Sequence, residues 1–212
     1  MRILLVAATS FEVESLRSEV GGQSQKSGIK NQEIDFLITG VGMVATAFEL
    51  GKHFATHPYD LAVNLGIAGS FDKSIDLGEV VEVTEDHLSE LGAEDDDTFL
   101  PMETLGFGES TFKTDVRLSS YINSGLRQVT AITVNTVHGH EPSINEITGR
   151  LKPQLESMEG AAFFYACKQA GVPCLQIRAV SNYVEKRNRD AWQIGLAIKN
   201  LNSFAVEFLN TL

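Results

Sequence analysis

The chain has 212 residues, with 17 Lys plus Arg against 28 Asp plus Glu and a formal net charge of −11. At 43% apolar and 21% charged, it has the make-up of a water-soluble globular protein with material for one sizeable core, read as a single domain over 1–212. The acidic balance argues against a nucleic-acid binder, which needs a concentrated basic face.

Cys167 and Cys174 are too few for a disulfide framework and lack zinc-ligand partners at the usual spacing, so both read as small buried groups in a reducing cytoplasm. The apolar run Ile3 to Ala8 is too short for an export signal or a membrane span, and Glu12 and Glu14 follow at once. A cytoplasmic protein without membrane contact is expected.

Ile3 to Ala7 is a continuous β-favouring run, the pattern of a strand buried on both faces. A helix is predicted from about Phe11 to Val20, ended by Gly21-Gly22. Ile34 to Thr39 reads as a strand, and Gly40-Val41-Gly42 then turns into a long helix through Ala55. Leu61 to Leu65 is a third strand, closed by the small-residue turn Gly66-Ile67-Ala68-Gly69-Ser70, and Val80 to Thr84 is a fourth. Glu85 to Asp115 has little periodicity, and its acidic run Glu94 to Asp97 reads as a solvated loop, with a carboxylate metal site as the weaker alternative.

Val129 to Val134 is a further strand, and Ser143 to Glu146 has capping-box spacing for a helix start. Gly160 to Gly171 is helical, Val172 to Val180 is a strand and the final helix runs from about Asp190 to Leu209. Alternating strands and helices imply an α/β fold with a central mixed, largely parallel sheet flanked by helices. In such folds ligands collect beyond the carboxyl ends of strands.

Each motif there has a plain reading beside a functional one. Gly40-Val41-Gly42-Met43-Val44-Ala45 matches a dinucleotide fingerprint, but Asp60 lies at the start of the next strand rather than its end, which is wrong for nicotinamide binding. A tight turn remains, either for packing or to bring backbone near a ligand. Thr9 and Glu12 make a capping box; the same placement projects the Glu12 carboxylate into the crevice, and the sequence leaves both open.

Glu159, between Met158 and Gly160-Ala161-Ala162, is either a favourable charge at a helix amino end or a partly desolvated site residue. Asn182 offers an Asx-turn, or an amide suited to the edge of a heterocycle. His138-Gly139-His140 without a third ligand reads as structural, and Trp192 reads as core. No metal site is expected.

In register, Thr9-Ser10-Phe11-Glu12, Gly40-Val41-Gly42, Asn64-Leu65-Gly66-Ile67-Ala68-Gly69, Ser157-Met158-Glu159-Gly160-Ala161-Ala162 and Arg178-Ala179-Val180-Ser181-Asn182 resemble the purine nucleoside phosphorylase and nucleosidase superfamily over nearly the whole chain. Within it the pattern is most similar to the futalosine hydrolases, nucleosidases of the futalosine route to menaquinone. Methylthioadenosine/adenosylhomocysteine nucleosidases are close relatives.

The resemblance implies a nucleoside phosphorylase-like fold, no cofactor, a purine nucleoside as ligand and self-association into a homo-oligomer whose partner subunit often helps close the pocket. It casts Glu12 and Asn182 as catalytic: Glu12 deprotonates the attacking water and Asn182 holds the base. It casts Val41, Ala68, Gly69, Met158, Glu159, Arg178 and Ser181 as substrate-binding. Within that set Met158 and Glu159 hold the ribose, Ala68 and Gly69 flank the reaction centre, Ser181 lies beside the base and Arg178 supports its strand end. The segment near His138 is expected to border the site.

Two departures from the superfamily are informative. No Gly-x-Pro-x-Arg loop follows the first strand, which points to water rather than phosphate as nucleophile. Adenine-specific nucleosidases place an Asp where this chain has Asn182, and an amide is no acid at neutral pH, which favours a 6-oxopurine such as hypoxanthine. Arg187 and Arg189 are candidates for the far end of the substrate.

Overall fold

None of Ile3 to Ala7 exceeds 2% exposure, because alternate side chains of this strand enter different cores. Leu4 and Val6 pack with Leu50, Phe163 and Phe164 on one face, and Ile3, Leu5 and Ala7 pack with Leu16, Leu201 and Phe208 on the other. A run without polar alternation therefore becomes the centre of a two-sided sheet.

The computed structural model describes residues 1–21, 32–123 and 125–212, so the Gly22 part of the expected first-helix stop lies outside the described residues. The elements are β1 (Arg2–Ala7), α1 (Ser10–Gly21), β2 (Glu33–Ile38), α2 (Met43–Phe54), β3 (Leu61–Ser70), β4 (Val80–Leu88), β5 (Gly92–Asp95) and β6 (Thr98–Pro101). There follow α3 (Met102–Leu105), β7 (Thr111–Lys113), β8 (Arg127–Thr133), α4 (Glu141–Leu151), β9 (Leu155–Ser157), α5 (Gly160–Ala170), β10 (Cys174–Tyr183) and α6 (Ile194–Thr211).

The result is one α/β domain with a mixed, largely parallel sheet. β2, β1 and β3 run parallel in that order. Beyond β3 the sheet forks: β3 pairs in parallel with β10 and antiparallel with β9. The two arms rejoin, since β10 pairs with β4, β4 with β8 and β8 with β9. Five strands thus close a ring, and the ends of β3, β9 and β10 are held side by side at its rim.

Several boundaries differ from the sequence-based expectation. Gly66 to Ser70 is the second half of β3 rather than a turn, and β10 continues through Ser181 and Asn182 to Tyr183. Glycines sit inside β3 because neighbouring side chains fill the space that a Cβ would need.

β4 extends to Leu88, and the region expected to be irregular holds the β5–β6 hairpin and β7. Glu94 and Asp95 belong to β5, at an exposed tip. Helix α4 begins at Glu141, so Ser143 is not its cap; its hydroxyl donates to the His140 carbonyl at 2.9 Å instead. Cys167 and Cys174 are both free and buried, and burial raises the Cys167 thiol well above its ordinary range. Among the described residues no helix is long and apolar enough to cross a membrane.

Candidate active site

A cavity of about 510 Å³ opens at the carboxyl ends of β1, β3 and β10. Glu12, Val41, Ala68, Gly69, Met158, Glu159, Ser181 and Asn182 all line it. Arg178 does not: it is 1% exposed and lies beneath the wall. Its placement among substrate-binding residues is corrected to a supporting one, because its guanidinium is committed within the sheet. Nε donates to Gln176 Oε1 at 3.0 Å, Nη2 donates to Asn64 Oδ1, and Nη1 lies 4.0 Å from Glu159 Oε2.

Glu12 fulfils both readings of its motif. It stands in the first turn of α1, and its Oε2 accepts from the Thr9 backbone N–H and hydroxyl, each at 3.0 Å. Its Oε1 accepts from the Ile67 N–H of β3 at 3.2 Å. The helix cap is thus the device that fixes a 7%-exposed carboxylate on the cavity wall.

Glu159 is held from three directions. It occupies the N-cap position of α5, accepts the Gly42 N–H at 3.0 Å and faces Arg178. Gly42 has φ +96 and Gly40 φ +87, conformations that favour glycine, and the turn they make aims that N–H at the carboxylate. The positive ends of α2 and α5 both favour the anion.

Behind these residues, Asp86 is fully buried, accepting from Thr133 Oγ1 at 2.9 Å and from Gln176 Nε2 at 3.1 Å. Desolvation pushes its carboxyl up to about 7, against those two hydrogen bonds. Gln176 therefore presents its amide nitrogen to Asp86 and its oxygen to Arg178, a relay from the core to the site.

Asn182 owes its aim to a bulge. β10 pairs Val180 with Ala68 and Asn182 with Gly69, so Ser181 is the extra residue. Ser181 Oγ has its one proton to share between Asn182 Oδ1 at 2.8 Å and the Ala68 carbonyl at 3.2 Å, while Asn182 Nδ2 donates to the Tyr183 carbonyl at 3.1 Å. The side chain is oriented within the strand, not in an Asx-turn.

Sequence reasoning gave no role to Glu156 and read His138 as structural rather than metal-binding, in a segment expected to border the site, which it does. His138 lines the cavity with its Nδ1 2.7 Å from Glu156 Oε2, and the His138 N–H donates to Glu156 Oε1 at 3.1 Å. Burial raises the Glu156 carboxyl despite these contacts. The reading of Trp192 as core is corrected: it is half-buried at the cavity, with the Arg187 guanidinium 4.8 Å from its ring centroid. Of the two basic candidates, Arg187 lines the cavity and Arg189 does not. Among the described residues, no group of three or more His, Cys, Asp or Glu could hold a metal ion.

Residues 2–210 match the family model described as the Phosphorylase superfamily, and the chain belongs to that superfamily. It is 33% identical to a futalosine hydrolase of Streptomyces coelicolor, over 95% of this chain and 92% of that protein. With a Thermus thermophilus futalosine hydrolase it shares 30% identity, over 93% of this chain and 91% of the other. The fold is that of a Helicobacter pylori methylthioadenosine/adenosylhomocysteine nucleosidase (TM-score 0.87, 16% identity, covering 100% of this chain and 99% of that one). A futalosine hydrolase from Helicobacter pylori fits equally well (TM-score 0.87, 14% identity, 100% and 98% covered).

Proposed function

We propose that this protein is a hydrolase of N-glycosyl bonds, a nucleosidase that releases hypoxanthine from futalosine and leaves dehypoxanthine futalosine for menaquinone synthesis. The observation that carries this reading is the convergence of Glu12, Glu159 and Asn182 on one cavity. The identities with futalosine hydrolases of Streptomyces coelicolor and Thermus thermophilus support the substrate.

Cleavage of the C1′–N9 bond builds oxocarbenium character on the ribose. Glu159 accepts hydrogen bonds from the sugar hydroxyls and, with its anionic charge, favours that positive transition state, while Met158 packs on the sugar. Glu12 takes the proton of the attacking water, and its fixed lone pairs make the orientation of that water a property of the fold. Val41, Ala68 and Gly69 shape the space around the reaction centre.

Asn182, assisted by Ser181, reads the 6-oxo edge of the base with one donor and one acceptor. An adenine nucleoside presents an amino group there and leaves buried polar groups unpaired, which separates this reading from a methylthioadenosine or adenosylhomocysteine nucleosidase. The Trp192–Arg187 corner suits an aromatic, anionic substituent at the far end of the substrate.

The exposed apolar stripe Val41, Val44 and Phe48, next to the cavity, suits the covered face of a homo-oligomer.

Incubating the protein separately with futalosine, inosine and methylthioadenosine and identifying the freed base tests the reading. Hypoxanthine from futalosine at the highest kcat/KM is expected. Adenine released at a comparable rate overturns the substrate. Binding without release of any base overturns the hydrolase in favour of a nucleoside-binding protein.

A further inference from the structure

A purine leaving C1′ carries off the electron pair of the broken bond, and Asn182 has no acidic proton to give it. Beside Asn182 the structure holds a second polar device that the steps above do not use. Gly69 pairs with Asn182 of β10 on one side and with Glu156 of β9 on the other. A Cβ on Gly69 would lie 3.2 Å from Asn182 Nδ2 and 3.5 Å from Glu156 Cγ, so the glycine leaves both side chains room above the same strand. Glu156 in turn holds His138, whose side chain is 15% exposed where the carboxylate is 3% exposed.

We propose that His138, oriented by Glu156, is the proton donor to the departing base. This deepens the nucleosidase reading and rests on it. Nδ1 at 2.7 Å from Glu156 Oε2 fixes the tautomer, so the proton on Nδ1 stays with the pair and Nε2 is the nitrogen that loads and unloads. Among the described residues Nε2 has no hydrogen-bond partner, and the ring forms part of the cavity wall. Phe71 meets the ring edge-on at 6.1 Å, and Val137 and Gly139 on either side of His138 line the same cavity. The other charged side chains on that wall are Glu12, Glu159, Glu185 and Arg187.

The step balances without a further reagent. The C1′–N9 bond breaks and its electrons go to the purine, which takes the Nε2 proton of the imidazolium. Water oxygen bonds to C1′ and its proton goes to Glu12. Return of that proton through solvent to His138 resets both groups. Glu156 holds the ring through Nδ1 and touches no reacting atom, and it is accordingly a positioning residue.

The test compares leaving groups that need a proton with ones that do not. A nucleoside methylated at N7 departs as a neutral purine and requires no acid. Wild type, His138→Ala, Glu156→Gln and Glu12→Gln are assayed on futalosine and its N7-methylated derivative, and on inosine and 7-methylinosine.

His138→Ala is expected to lose about 10²-fold in kcat on the unmethylated substrates, at the low end of general-acid effects, and less than about threefold on the methylated ones. Glu156→Gln is expected to show the same split with a smaller loss, whereas Glu12→Gln loses turnover on both. Equal losses on both substrate types for His138→Ala, or no loss on either, overturn the proton-donor role alone. A wild-type protein that cleaves neither futalosine nor inosine overturns the 6-oxopurine reading itself, and one that frees no base from methylthioadenosine either overturns the nucleosidase.

Discussion

Glu12 and Arg178 meet across Gly66: a Cβ built on that glycine would overlap Arg178 Nη1 and lie 3.1 Å from Glu12 Oε1. The residue is a glycine because the guanidinium occupies its side-chain space, inside a strand with no positive φ to demand one. The proposed base and the cation beneath Glu159, the proposed ribose-binding carboxylate, are thus tied to one point on β3.

Gly66→Ala is therefore expected to displace the guanidinium and, through it, Glu12 and Glu159. Misplacement by about 1 Å costs on the order of 10²-fold in rate. Steady-state kinetics should show kcat falling by at least about tenfold, with a far-ultraviolet dichroism spectrum like that of wild type.

Glu12→Gln keeps the shape of the side chain but turns an NH₂ group toward backbone N–H donors that now face an oxygen. Loss of the cap is worth about 1 kcal/mol, a small part of the fold's stability. Loss of the proton acceptor is expected to cost about 10²–10⁴-fold in kcat. Base release measured beside nucleoside affinity separates the two: turnover should collapse and Kd change little.

Removing the guanidinium by Arg178→Met strands Asn64, Gln176 and Glu159 around a buried gap. Breaking a buried charged pair costs about 3–5 kcal/mol. Urea unfolding of the variant should show an unfolding free energy lowered by that amount, read as the midpoint shift times the m-value, and activity should be lost even where the protein remains folded.

Asp86 gives a pH dependence with a definite sign. Its carboxyl is raised from 3.8 to about 7 in the folded protein, so the folded state holds the proton more tightly than the unfolded chain. The stability this contributes is fully present below about pH 4 and is lost as pH rises through about 7. Glu156, also raised, acts in the same direction. Asp86→Asn removes the ionisation, so wild-type Tm should fall relative to the variant between pH 5 and pH 8. The amide also presses Gln176 to flip its nitrogen toward Arg178, so the variant should lose activity despite that gain.

Much of the site was legible because its residues cluster at strand ends: Thr9 to Glu12, Gly40 to Gly42, Ser157 to Glu159 and Ser181-Asn182 were all singled out from the chain. The extents of β3 and β10 were not, because Gly66, Gly69 and Ser70 carry the composition of a turn. Only the neighbouring strands reveal that the missing side chains of Gly66 and Gly69 make room for Arg178, Asn182 and Glu156. β9 is three residues long and gives no alternation to read. The His138–Glu156 pair spans 18 residues and exists because β9 lies between β8 and β3, a relation no local pattern encodes.

The bulge at Ser181 makes the orientation of Asn182 a matter of counting. Side chains alternate across a strand with a period of two, so a β10 running on from Val180 without the bulge would set Ser181 opposite Gly69 and Asn182 opposite Ser70, on the other face. Excising Ser181 would restore the regular count with Asn182 still opposite Gly69, and would remove only the hydroxyl that sits between the Ala68 carbonyl and Asn182 Oδ1. Flattening the bulge with Ser181 kept, not losing that residue, is the change that would turn the amide out of the pocket.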